Sequence, residues 1–114
     1  MKETKTSGGQ RNFNYNGSLK RGYDLLFETG TVHIPAKLIF AILEKYIGKS
    51  VFGGFNMTDP EPDGLGEFIQ QYSESNLERV IVPRYATHIA AILKDEEMLT
   101  ISKREGKVFL DFSV

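Results

Sequence analysis

From Pro35 onward the apolar positions of the chain fall into blocks of helical and strand-like spacing. Leu38, Ile39, Ile42, Leu43, Tyr46 and Ile47 recur as i, i+3, i+4, i+7, with Pro35 where a first helical residue is favoured and Gly48 where a helix ends. Lys45 and Lys49 near that end suit the helix dipole. Phe40 and Ala41 widen the apolar face beyond a simple stripe, which predicts a helix central to the core or shared with a second copy, a homodimer. Val51 to Phe55 read as a short strand with a bend. The run Asp59-Pro60-Glu61-Pro62-Asp63-Gly64 reads as a loop, because its prolines and acids preclude regular structure. Leu65, Phe68, Ile69 and Tyr72 give a second helix one apolar stripe, ending near Ser73 to Asn76, and the β-favouring run Arg79 to Val82 reads as either a short strand or an extended link.

The closing third predicts a helix delivered into a hairpin. Pro83 opens the helix, Ala86, Ile89, Ala90 and Leu93 mark its packed face, and it runs to Glu97. Arg84, Thr87, His88, Ala91, Lys94 and Asp95 fall on the opposite face by the same count. Leu99 to Ser102 and Lys107 to Phe112 then read as strands joined by Lys103-Arg104-Glu105-Gly106, whose glycine can take positive φ. Residues 1–22 are rich in Gly, Asn, Ser and Lys and read as a flexible basic tail, with Phe13 and Tyr15 as its aromatic groups. Tyr23 to Phe27 reads as a strand feeding the first helix. Residues 23–114 are expected to be a single domain.

Composition changes this picture little. Apolar residues at 40% and charged residues at 25% are ordinary globular values. The absence of cysteine excludes disulfides and thiolate metal sites. No apolar run approaches the roughly 20 residues needed to span a bilayer, and the first residues lack the apolar core of a signal peptide, so a cytoplasmic protein with no membrane partner is expected. Charge is more informative by distribution than by its total of −1. Residues 1–22 hold five cations against one acid, residues 23–77 three against eight, and residues 78–114 six of each. Local basic patches of this kind serve phosphate contacts even in a near-neutral chain.

Catalytic motifs fail on inspection. Gly48-Lys49-Ser50 resembles the end of a phosphate-binding loop, but Leu43 stands where glycine is required, and the triplet closes a helix rather than opening one. His33 and His88 lie in separate elements without ligand spacing. Asp59, Glu61 and Asp63 alternate as in some calcium loops, yet Pro60 and Pro62 and the lack of a closing glutamate argue against one. No serine sits in a nucleophile elbow. The sequence therefore predicts no enzyme and no cofactor.

The order helix Pro35–Ile47, short strand Val51–Phe55, helix Leu65–Ser73, helix Pro83–Glu97 and hairpin Leu99–Phe112 resembles the winged helix-turn-helix family over residues 33–112. The link from Ser75 to Val82 is longer than the three- or four-residue turn typical of that family. The resemblance implies an α+β, winged-helix-like fold, with a three-helix core and a C-terminal β-hairpin wing. It also implies a transcriptional regulator that binds double-stranded DNA. By position, Arg84, Thr87, His88 and Lys94 would then face bases or phosphates, while Lys103, Arg104 and Lys107 would be wing contacts to phosphate. A protein-binding adaptor is the alternative, because such folds also serve as interaction modules. Convergence of the cations from tail, third helix and wing on one face is what separates the two readings.

Overall fold

The computed structural model describes residues 2–6, 11–53, 64–77 and 79–112. The first third is sheet rather than tail. Strands β1 (Lys2–Lys5), β2 (Asn12–Ser18), β3 (Gly22–Phe27) and β4 (Gly30–Ile34) form an antiparallel meander in that order. Asn alternates with aromatics along β2, so the strand is two-faced: Phe13 and Tyr15 are buried while Asn12 and Asn16 are exposed. Registers Tyr15↔Leu25 and Tyr23↔Ile34 place buried Tyr15, Leu25, Tyr23 and Ile34 on one apolar face. Residues 12–18 are thus a strand that places Phe13 and Tyr15 in the core, not part of a basic tail.

Helix α1 (Ala36–Tyr46) follows directly, its start set by Pro35, whose carbonyl accepts from the Leu38 and Ile39 amides. It buries Leu38, Ile39, Ile42 and Tyr46 and leaves Phe40 and Ile47 exposed. Strand β5 (Ser50–Phe52) leads, across undescribed residues, to α2 (Leu65–Asn76). The proline-rich loop and Phe55 of the sequence reading lie outside the described residues, apart from its last residue, Gly64. The link after α2 is pinned from within, since Ser73 Oγ accepts from the Ile81 amide at 2.9 Å and both residues are buried. Pro83–Tyr85 form a single 3₁₀ turn, and helix α3 proper is Ala86–Asp95. Strands β6 (Leu99–Arg104) and β7 (Lys107–Phe112) form the hairpin, with Glu105 and Gly106 both at positive φ in its turn.

These elements overturn the expected fold class. A four-stranded sheet precedes the helices, and β6 and β7 join β5 in a three-stranded sheet of order β5-β7-β6 rather than standing out as a wing. The fold is α+β, with three α-helices and seven strands in two sheets among the described residues. The reason lies in α3, which packs on β1 as well as on β6. Ala86, Ile89, Ala90, Ala91, Ile92 and Leu93 are all buried, so α3 is covered on more than one side. Three of those six are alanines, which let neighbouring backbones approach closely. Among the described residues no helix is long and apolar enough to cross a membrane.

Candidate functional site

Packing of α3 against both sheets redistributes the residues that the sequence placed on one open face. Ala91 is only 2% exposed. His88 is half-buried among aromatic rings, with Phe13 at 4.8 Å, Phe27 at 5.5 Å and Tyr85 at 5.7 Å between centroids. Its Nδ1 is buried without a hydrogen bond of good geometry. Burial pushes the imidazole pKa down; the Arg84 backbone favours the cation and the Arg84 guanidinium opposes it. A neutral ring in an aromatic cage is a packing group, so His88 is withdrawn from the set of groups facing a ligand. Thr87 beside it is half-buried. Arg84 is exposed on the 3₁₀ turn, its guanidinium 5.8 Å from the Tyr85 ring. His33, by contrast, is exposed and pairs across β3 and β4 with Asp24 at 2.7 Å.

The end of α3 is clamped by the N-terminal sheet. Lys2 Nζ lies 2.8 Å from Glu96 Oε2, and the Tyr15 hydroxyl donates to Asp95 and Glu96, each at 3.4 Å. Burial first, and then the charges of these two carboxylates, push the Tyr15 phenol well above its ordinary range, so it stays a donor. This fixes β1 alongside α3 and leaves a groove between β1 and the C-terminal hairpin.

That groove encloses about 500 Å³ and is lined by Thr4, Lys5 and Thr6 from β1 and its end, Ala91 and Lys94 from α3, and Ile101, Ser102, Lys103 and Val108 from the hairpin. Three lysines and two threonines line it with no acid among the described residues, while the Ser102 hydroxyl turns away to donate to Asp111 at 3.0 Å on the other face of the hairpin. Among the described residues none of the three lysines is ion-paired. Both walls are sheet edges, since β1 ends one sheet and β6 ends the other. Of the residues proposed from sequence, Lys94 and Lys103 meet here, and Lys5 joins them from the segment read as a tail. Arg84 and His88 do not.

Arg104 and Lys107 turn to the other side of the hairpin. Cross-strand pairs put Lys103 with Val108 on the inner face and Arg104 with Lys107 on the outer. On that outer face Arg104 bonds Asp111 at 3.1 Å and lies 5.0 Å from the Phe109 ring, while Lys107 lies 5.6 Å from the Phe52 ring. Hydrogen bonds from Ser50 and Ser102 hold the Asp111 carboxyl below the usual range, and Arg104 adds to this. Among the described residues no group of three or more His, Asp or Glu is placed to hold a metal ion. No family model, curated protein or solved structure matches the chain.

Proposed function

We propose that the chain is a nucleic-acid-binding protein whose Lys5, Lys94 and Lys103 hold the phosphate backbone of DNA. The observation that supports this is the meeting of lysines from three separate elements in one groove with no acid among the described residues that line it. Lysine is a point-charge donor suited to phosphate oxygens, and Thr4 and Thr6 add neutral hydroxyls of the type seen in backbone contacts. Because α3 is packed on both sides, contacts of this kind position the nucleic acid without reading base edges through a groove-inserted helix. The sequence preference expected of a base-reading helix is therefore not part of the proposal.

The test is a fluorescence-anisotropy titration against labelled DNA of random sequence at two salt concentrations. Binding at low salt should weaken steeply as salt rises. Each phosphate contact contributes a log-log slope of about 0.9 on duplex DNA, so the triple variant Lys5→Ala, Lys94→Ala, Lys103→Ala should reduce the slope by up to about 2.7. A parent protein with no affinity at low salt, or a triple variant with the parent's slope, would refute the assignment.

A further inference from the structure

The outer face of the three-stranded sheet carries two aromatic rings. Phe52 and Phe109 are cross-strand neighbours in β5 and β7, with ring centroids 5.8 Å apart. Residues of the opposite face at the same strands, Val51, Leu110 and Phe112, are buried. Phe52 and Phe109 are only half-buried, and Ser50, Thr100, Arg104 and Lys107 around them are exposed. The part of each ring left to water would gain from an apolar cover.

Position relative to the groove says what that cover is. Ser102 lines the lysine groove and is also the cross-strand partner of Phe109. The path from the groove to Phe109 thus crosses one strand, β6, a step of roughly 5 Å, and Phe52 lies one strand further on, at roughly 10 Å. Ammonium groups lie on one side of that strand, and two rings bordered by Arg104 and Lys107 lie on the other. Among the described residues Asp111 is the one carboxylate on this face of the sheet, and its charge is answered by Arg104 and two serine hydroxyls. A ligand that matches both sides has a repeated anion and flat apolar groups next to it at a spacing of one residue. Single-stranded nucleic acid has that chemistry, and duplex DNA does not, because its bases are stacked inside.

We infer that Phe52 and Phe109 form a base-stacking platform for a single nucleic-acid strand whose phosphates lie in the Lys5, Lys94 and Lys103 groove. This inference rests on the nucleic-acid reading above and names its ligand class. Arg104, held by Asp111 over Phe109, is poised to stack with or contact the same strand.

The experiment compares labelled oligothymidylate of about 15 nucleotides with an abasic strand of equal length and with the corresponding duplex, at low salt. A polyglutamate peptide serves as a non-nucleic polyanion. The parent, Phe52→Leu and Phe109→Leu are measured, leucine keeping apolar bulk while removing the ring. Far-UV circular dichroism confirms that each variant is folded. The expected result is oligothymidylate binding at least about tenfold tighter than the abasic strand, with that preference lost in either leucine variant and the salt slope unchanged. Equal affinity for base-bearing and abasic strands, with silent leucine variants, would overturn the platform while leaving the groove reading intact. Polyglutamate binding as tightly as oligothymidylate would assign the cations to an acidic protein partner and overturn the platform. Absence of binding to every strand would overturn both readings.

Discussion

Replacing Phe13 by alanine separates a structural N-terminal sheet from a loose tail more sharply than any other single change. The ring is 6% exposed and meets His88 at 4.8 Å and Tyr15 at 6.2 Å. Burying about 150 to 200 Å² of aromatic surface at roughly 25 cal/mol per Å² gives about 4 to 5 kcal/mol as an upper bound, since the unfolded chain is already partly collapsed. Core Phe→Ala changes cost about 3 to 5 kcal/mol by measurement, so the expected loss is about 3 to 4. That is a large share of the roughly 6 to 17 kcal/mol that a domain of this length holds. The chain has no Trp, so equilibrium urea unfolding is best followed by far-UV circular dichroism. With a slope near 1.5 kcal/mol per M, the midpoint should fall by about 2 to 3 M. The control is Asn16→Ala on the same strand, exposed and expected to stay within about 0.5 kcal/mol. A Phe13→Ala loss below about 1 kcal/mol would refute the packed sheet and restore the tail.

The His88 cage predicts a pH dependence of stability. Its pKa is lowered in the folded state from an ordinary 6.5, so below that value the unfolded chain binds the proton more readily. Stability should decline as pH falls from about 6.5 toward the folded pKa, by up to about 1.4 kcal/mol per unit, and His88→Leu should flatten that decline; a variant with the parent's pH profile between pH 7 and 5 would disprove it. At Gly22, φ is +87° and an added Cβ would lie 2.4 Å from the Ile34 carbonyl oxygen, whereas at Gly106, with φ +79°, it would meet nothing within 4 Å. Gly106→Ala should cost about 1 to 2 kcal/mol from the left-handed backbone alone, and Gly22→Ala more; equal losses in urea unfolding would show that the β3 end can relax away from β4.

What the sequence revealed and what it hid follow from the range of the signals. Helices at Ala36–Tyr46, Leu65–Asn76 and Ala86–Asp95 announce themselves by periodicity over several turns, a local property of the chain. The hairpin shows its turn through Gly106. The N-terminal meander is fainter because β2 alternates Phe13 and Tyr15 with asparagines, which are poor strand formers and common in tails. Its period-two pattern spans only Phe13-Asn14-Tyr15-Asn16, and that pattern was the available signal. Gly30, a turn signal at the β3–β4 connection, was the other. His88 was misplaced for a different reason. A helical wheel finds the less apolar face of α3, but it cannot show that a sheet from far along the chain will lie over it with Phe13 and Phe27. Lys94 and Lys103 were legible as cations, while their partnership with Lys5 exists only once β1 is laid beside α3.

Lysine at a sheet edge has a second explanation, which the third lysine tests. Edge strands are guarded against pairing with other chains by charged side chains, lysine above all, and Lys5 and Lys103 sit on the two edge strands β1 and β6. Edge protection alone would account for that pair. It does not account for Lys94, which stands on a helix with no edge to guard and yet faces the same groove. Nor does it favour two like charges on opposing walls, since repulsion across a shared groove destabilises the fold unless an anion enters. The two explanations diverge in the Lys94→Ala single variant. If the lysines only guard edges, this change leaves DNA affinity and aggregation alike untouched. If the groove holds phosphate, affinity at low salt falls and the salt slope drops by about 0.7 to 0.9 while solubility is unaltered.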